Sequence, residues 1–532
     1  MKLSHKLLAT TAAALIATGG TAYAEAHAMT HPETGEALAE EQVFTYRDLD
    51  ESPSIDPGTA EDSAGGDILR DLFEGLYNQD PDGNLVYTFN LRDNAKWSNG
   101  DPVTAGDFEY AWKRAASPEL ASPYSWYIEL MSLENASEVI AGDMDISELG
   151  VTAIDDTTLE VRLSQPLPYF DQMVTHFTTF PVHQATVEEF GSDWTQAGNM
   201  VSNGAYMLEE YVPQERMVRV RNENYWDNEN TIIDRVVRLV IPDENVALTR
   251  YLAGELDRTD IPAGQFPQLS EEYPDEATSV PNACSYYYMF NLRDGVDEWV
   301  QNADVRKALS LAVDRDIIVD NVLAGGQKAA YTFTHWATAG FETPDIPMAS
   351  MTQEERNTMA QELLAGAGYG PDGEDITVDL VYNTSESHRA IAIAISQMWQ
   401  QTLGIETELS NQEWQTFLEA RSNGDFEVAR GGWCADYNEA STFLDLMQSE
   451  SGYNDSKFVS EEADTLLAEA KTSDNPQANY DRVEEIIAEE TPIIPIYHYA
   501  SVFMLDDNVK GWPYENFQQN WYSKNFYIVA EE

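Results

Sequence analysis

The sequence predicts an α/β protein of several lobes, and three observations lead there. Residues 376–410 read as strand, helix, strand: Ile376 to Tyr382 is β-branched and apolar, Ala390 to Leu403 carries Ile391, Ile395, Met398 and Trp399 on one helical side, and Ile405 to Ser410 alternates after Gly404. That βαβ unit implies a parallel pair with a right-handed crossover. The chain has 532 residues, more than one core accommodates at about 100–200 residues per domain. No Pro/Ser/Gly-rich linker divides it, so the chain is expected to cross between lobes more than once.

Taken in order, residues 1–24 read as an export signal. Lys2 and Lys6 precede a small, apolar stretch from Leu7 to Gly20, and Ala22-Tyr23-Ala24 is a small-x-small cleavage site. No cysteine follows it, so the expected product is periplasmic and not a lipoprotein, and no later apolar run is long enough to span a bilayer. Residues 25–42 read as a frayed leader. Val86 to Arg92 alternates like a strand. Thr104 with Asp107 three residues on predicts a capped helix through Trp112, stopped near Ser117-Pro118. Thr158 to Leu163 and Arg235 to Ile241 read as strands, Glu244 to Ala253 as a helix stopped at Gly254, and Val305 to Leu323 as one amphipathic helix ended by Gly325-Gly326.

Cys284 and Cys434 are the only cysteines. An oxidising compartment favours pairing them, which would stabilise by about 3–5 kcal/mol in the chain-entropy model; two buried free thiols are the alternative. Two cysteines also argue against a structural zinc site.

The charge restricts function. Asp and Glu number 93 against 30 Lys and Arg, for a net −63; removing residues 1–24 takes away two lysines and no acid, giving −65. Nucleic acid is an unlikely partner for such a surface, since phosphate binding needs a basic one. No His-Glu-x-x-His, Gly-x-Ser-x-Gly, P-loop or dinucleotide fingerprint is present, so no cofactor, metal or catalytic residue is expected. Paired carboxylates of a secreted hydrolase remain the remote alternative, because any chain this acidic offers candidate pairs. The 27 tyrosines and 12 tryptophans suit a large, wet ligand pocket.

The segment Arg430 to Glu439 (RGGWCADYNE) joins an arginine, two glycines, a tryptophan wall, a cysteine and Asp436. It resembles the ligand-site segment of the periplasmic oligopeptide-binding proteins of oligopeptide ABC importers (solute-binding protein family 5). The resemblance runs in order through Ile55–Pro57, Arg70–Leu76, Ala95–Ala105, Asn203–Tyr206, Asp304–Arg306, Val313–Asp316, Tyr382–Ser385 and Asn411–Trp414.

The resemblance implies a three-lobed clamp of the periplasmic-binding-protein type (type II, cluster C), with the ligand enclosed between lobes I and III. Lobe I would comprise residues 25–73, 184–283 and 504–532, lobe II residues 74–183, and lobe III residues 284–503. It implies a monomer that takes short oligopeptides with little sequence preference and passes them to an inner-membrane ABC permease; murein peptides or another cationic solute are the near alternative. Strand-like pairing of the peptide backbone would come from Glu61, Asp62 and Ser63 on one side and Gly432, Trp433 and Cys434 on the other. Asp436 would hold the ligand ammonium. Tyr124, Tyr287, Trp414 and Trp433 would wall hydrated side-chain pockets, and Arg430, Arg421 and His388 would face the ligand carboxylate. Two departures stand out: Leu323 replaces a family lysine, and about fifteen residues are missing between Asp82-Gly83 and Tyr87–Phe89.

Overall fold

The structure is a computed structural model that describes residues 30–79, 85–87, 91–165, 167–473 and 475–530. The export signal, residues 25–29 of the leader, the Asp82-Gly83 flank of the short segment and residues 88–90 of the Val86–Arg92 strand lie outside the described residues.

One mixed sheet runs through the molecule. Its strands are β1 (Val43–Asp48), β2 (Tyr206–Val212), β3 (Arg216–Arg221), β4 (Arg235–Val240), β5 (Arg258–Asp260), β6 (Ala277–Phe290), β7 (Thr377–Asn383), β8 (Glu406–Gln412), β9 (Val428–Cys434) and β10 (Ile493–Leu505). Their order is β8-β7-β9-β6-β10-β5-β1-β4-β3-β2, with a short strand Lys328–Ala329 also on β10. Everything on the β1 side attaches through the end of β10, where Phe503–Leu505 pair with β5. Everything on the β9 side attaches through the end of β6, where Cys284–Phe290 pair with β9. The antiparallel pair β6/β10 therefore joins two halves.

Between those attachments the ladder breaks. Pro281 opposes Ala500 and Ser285 opposes His498, so β6 has two extra residues there. Proline offers no N–H, and Ala283 turns its own groups outward: its N–H donates to Phe517 O and its carbonyl accepts from Ala435 N. Such a bulge bends and twists a strand pair locally.

Helices cover the halves as the periodicity predicts. They include α1 (Ser63–Leu72), α2 (Ala105–Ala116), α3 (Glu244–Leu252), α4 (Ala303–Leu311), α5 (Glu386–Leu403) and α6 (Trp414–Asn423). The Thr104/Asp107 capping box forms on α2. In the βαβ unit β7 and β8 are parallel, with Leu380 opposite Leu409. Helix α5 starts earlier than its apolar spacing suggested, because Ser385 accepts from the His388 N–H and caps it there. Gly404 ends it at φ 73°, a conformation that glycine adopts without a Cβ clash.

Three expectations need correction. Val305–Leu323 is not one helix: α4 ends at Leu311, Asp314 caps a new turn by accepting from Ile317 N–H, and a wider coil follows over Ile318–Leu323. Aspartate competes for backbone N–H groups and favours such caps over helix interiors. The leader is not frayed from Thr30 onward. Leu38 is buried, Ala39 N donates to Ile528 O at 2.8 Å, and Gln42 bonds both backbone groups of Ile528. Finally, Glu61–Ser63 forms no strand, because Asp62 caps α1 and Ser63 is its first residue.

A buried ion pair fastens the β1 half. Arg219 of β3 lies 2.9 Å from Asp71 of α1, both fully enclosed, and Ser523 near the C-terminus donates to Asp71 through N–H and hydroxyl. Three distant segments thus meet at one carboxylate. Removing one partner of such a pair leaves a buried charge uncompensated. Arg219→Met is expected to cost about 3–5 kcal/mol in urea unfolding, and the double variant Arg219→Met/Asp71→Asn less than the sum of the two single losses. Additive losses would show that the two groups do not act as a pair.

Candidate functional site

The outer edge of β9 is open. β7 pairs with it only at Val428 and Ala429, so from Arg430 to Cys434 the other edge carries no strand among the described residues. An exposed edge of this kind is a template for an added extended segment. Its conformation is fixed from behind. Cys434 lies opposite Cys284 of β6, and the two form the expected disulfide, S–S 2.02 Å.

The two glycines of this strand make room for its neighbours. A Cβ on Gly431 would lie 2.3 Å from the Tyr287 ring, and one on Gly432 would lie 2.6 Å from the Arg430 guanidinium. Tyr287 therefore packs flat against the strand, its edge on Phe333 at 4.9 Å, and Arg430 folds back along it.

Asp436 stands two residues past the end of β9 and is largely enclosed, its side chain 11% exposed. Tyr124 donates to its Oδ2 at 2.8 Å, and Thr442 Oγ1 accepts from its N–H at 3.0 Å. His176 brings Nε2 to 3.5 Å from Oδ1, but burial, aided by Arg70, holds that imidazole far below its ordinary pKa, so it is neutral. Burial pushes the Asp436 carboxyl up to about 7, against the Tyr124 hydrogen bond and the distant Arg70 charge. Asp436 is thus a carboxylate with donors around it and no fixed counterion.

Arg430, at the other end of the free edge, is the converse. It is buried, donates to Tyr499 Oη at 2.7 Å and lies 5.0 Å from the Tyr286 ring centre. Among the described residues no carboxylate comes within ion-pair distance of it. His388 is buried beside it, and burial and then the Arg430 charge keep the imidazole neutral, with Nδ1 unpartnered.

The remaining sequence-derived candidates divide. Trp433 is buried, with Trp126 at 6.0 Å and Tyr453 at 5.4 Å. Trp414, the first residue of α6, donates Nε1 to Asp62 at 3.3 Å across the two halves. Glu61 accepts from Tyr453 Oη, also across the halves. Asp62 is occupied by its capping bonds from Gly65 N–H at 2.8 Å and Ser52 Oγ at 2.7 Å. Arg421 is not a free cation: its guanidinium pairs with Asp455 at 2.7 Å. Leu323 is buried in apolar packing, so no cation replaces the family lysine there. Tyr124 acts as a hydrogen-bond donor to Asp436 as well as an aromatic surface. His176 and Tyr453 were missed, and no local motif marks them: they reach the site from segments far away along the chain.

The comparisons with known proteins decide the lineage. The model of the bacterial extracellular solute-binding proteins, family 5 (middle), matches residues 55–455. The chain belongs to this family. It is 40% identical to the periplasmic murein peptide-binding protein MppA of Escherichia coli K12, covering 99% of this chain and all of that one. It is 41% identical to the periplasmic oligopeptide-binding protein OppA of the same organism, over 93% of this chain and 94% of the relative. The solved structure of Escherichia coli MppA superposes with a TM-score of 0.90 at 40% identity, covering 93% of this chain and 100% of that one. The complex of Haemophilus influenzae OppA with RPPGFSPFR gives 0.88 at 34% identity, with the same coverage. The unliganded open form of MppA gives only 0.68, at 40% identity over 94% and 99%. Since sequence and coverage barely differ between the two MppA forms, the drop reflects arrangement rather than fold, and the present chain has the arrangement of the 0.90 match. The three-lobed periplasmic-binding-protein architecture holds, and the family is one of solute-binding proteins rather than of paired-acid hydrolases.

The state of Asp436 sets a pH dependence. Without ligand its carboxyl titrates near 7; an ammonium paired with it would draw that value down. Such pairing would be complete only well above pH 7 and would weaken below it, by about tenfold per pH unit at the limit. Calorimetry with a free-amine tripeptide between pH 8 and 5.5 should show affinity falling with pH and protons released on binding at pH 6. Asp436→Asn should flatten the profile, and an equally steep profile in that variant would assign the titration elsewhere.

Proposed function

We propose that this chain captures short oligopeptides with little sequence preference and delivers them to an inner-membrane ABC importer. The observation that carries the reading is the free edge of β9 with an unpaired carboxylate at one end and an unpaired guanidinium at the other. Backbone N–H and C=O groups are common to every peptide, so an edge strand at Arg430–Cys434 supplies affinity without reading side chains. A peptide also carries one ammonium and one carboxylate, which match Asp436 and Arg430. Tyr287, Trp433, Trp414 and Tyr124 then wall the side-chain space, where water adapts to different residues. His388 assists at the carboxylate end as a neutral group. Arg421 acts there only indirectly, since Asp455 already holds it, and Glu61–Ser63 faces the peptide as a helix entry rather than as a strand.

The same reading places residues 1–24 as a cleaved export signal and the mature chain in the periplasm as a soluble monomer. It is supported by relatives named periplasmic, and among the described residues no helix is long and apolar enough to cross a membrane. The two sheet halves correspond to lobes I and III, with the boundaries 25–73, 74–183, 184–283, 284–503 and 504–532. The β6/β10 pair is the hinge of the clamp.

A second reading, murein peptides, is favoured by the 40% identity to MppA along nearly the whole chain. Mass spectrometry of ligands that co-purify from cells separates it from the first: linear L-peptides support general oligopeptide capture, and D-residue peptides support the murein reading.

Acetylating the peptide amine removes the charge that Asp436 would hold and leaves the rest of the backbone pairing available. An acetylated tripeptide should bind about 30-fold or more weakly than the free amine, the lower end of about 2–5 kcal/mol for breaking a buried charge pair. Asp436→Asn should weaken the free amine similarly, and the two changes together should not add. The loss should persist at 1 M salt, on the order of a 3 Å screening length, which separates a local pair from the diffuse acidic field. Equal affinity for both tripeptides at high salt would remove Asp436 from this role.

A further inference from the structure

A pocket of about 320 Å³ opens beside the hinge strand β10, away from the free edge of β9. Its walls include Lys328, Tyr331, Trp336, Pro344, Ile346 and His498. Lys328 pairs with His498 from the side of β10 remote from β6. Three strand spacings, about 14 Å, thus separate this pocket from the edge assigned to the peptide.

Its charge runs against the rest of the chain. Among 93 acids and 30 bases, Lys328 is the one charged side chain in the wall. Its ammonium rests 3.5 Å above the Trp336 ring, and among the described residues it has no carboxylate within ion-pair distance. Behind Tyr331 stand two buried guanidiniums, Arg315 at 4.8 Å and Arg356 at 5.4 Å from its ring. Both spend their donors mainly on carbonyls: Arg315 on Ala330 and Pro495, Arg356 on Met348 and Met351. Asp314 and Asp316 act on Arg315 more weakly than Arg356 does. Three cations without a close carboxylate make the pocket electropositive inside a strongly acidic protein.

His498, also in the wall, carries no charge. His498 Nε2 lies 3.2 Å from Thr332 O and so carries the proton, which leaves Nδ1 buried without a partner. Burial lowers this imidazole to about 4, so it is neutral under physiological conditions.

We propose that this pocket is a second ligand site, for a small organic anion with an aromatic or apolar body. The anionic group takes the Lys328 ammonium at the mouth, and the body lies against Trp336, Pro344 and Ile346. The volume is at the small end of ligand pockets, which run from about 300 Å³ upward.

The test uses the whole protein and two matched probes, 4-hydroxyphenylacetate and its uncharged amide, 4-hydroxyphenylacetamide. Saturation-transfer NMR and calorimetry should show the acid binding with a Kd at or below about 1 mM and the amide about tenfold or more weakly. Lys328 is exposed, so Lys328→Gln should keep the melting temperature and peptide affinity of the parent while weakening the acid about tenfold; Lys328→Arg should retain it. Trp336→Ala should weaken both probes. No saturable binding up to about 10 mM, equal binding of acid and amide, or undiminished binding in Lys328→Gln would each overturn the site. None of these outcomes depends on whether the β9 edge binds peptides.

Discussion

The pairing of β6 with β10 is the constraint on which the rest of the molecule depends. Fourteen residues of one strand and thirteen of the other carry two halves of a single sheet, each attached at a different end. Because the ladder between the attachments is broken at Pro281–Ser285, the halves share a sheet without sharing a rigid ladder. The break is braced where it meets the β9 half. Cys284 lies inside it, opposite Cys434 of β9, and is bonded to that residue. The break in the ladder and the free edge of β9 are thereby joined by one covalent bond.

Inside this frame most buried charges are neutralised locally. Arg219 meets Asp71, Arg114 meets Asp56, Arg421 meets Asp455 and Lys524 meets Glu74. Arg315, Arg356 and Glu484 lack such a partner among the described residues, and so do Asp436 and Arg430, which alone of these flank the free edge of β9. Arg430 is buried and Asp436 largely enclosed, and each is hydrogen-bonded by a neutral group, Tyr499 on one and Tyr124 on the other, with no opposite charge in ion-pair contact among the described residues. Desolvating a charge without a partner is costly, and the lifted carboxyl of Asp436 is the local sign of that cost. A zwitterionic chain laid along β9 would offset both ends together, which ties closure to occupancy without any contact to a side chain.

Local pattern made much of this legible. The βαβ unit, the α2 capping box and the strand at Arg235 follow from period and cap chemistry, and the two cysteines follow from compartment and count. The motif around Asp436 pointed to the site because its parts are contiguous. What stayed hidden involved residues brought together from afar. Tyr124 and His176 reach Asp436 from about 300 residues away in sequence, and Asp455 takes Arg421 from beyond the helix that carries it. Elsewhere a local competitor won. Asp62 and Asp314 cap helices, which turned an expected strand into a helix start and split an expected long helix. The leader looked free because its partner, Ile528, lies at the opposite end of the chain.

The acidic surface and the two charges that flank the free edge of β9 act over different ranges. Beyond roughly one screening length, about 8 Å at physiological salt, the −65 expected of the mature chain exerts little force on a peptide whose termini cancel. Nearer in, the field orients such a zwitterion with its ammonium toward protein, but it cannot hold it in register, because dispersed surface carboxylates are interchangeable. Register requires one carboxylate that differs from all the others. Asp436 would be that one by position rather than by burial alone, since Glu484 and Asp257 are lifted to about 7 as it is but only Asp436 follows the free edge of β9. The glycine pair Gly431-Gly432 then matters electrostatically as well as sterically: only without a Cβ at Gly432 can the Arg430 guanidinium fold back along the strand, where on the proposed reading it would face the end of the peptide opposite Asp436.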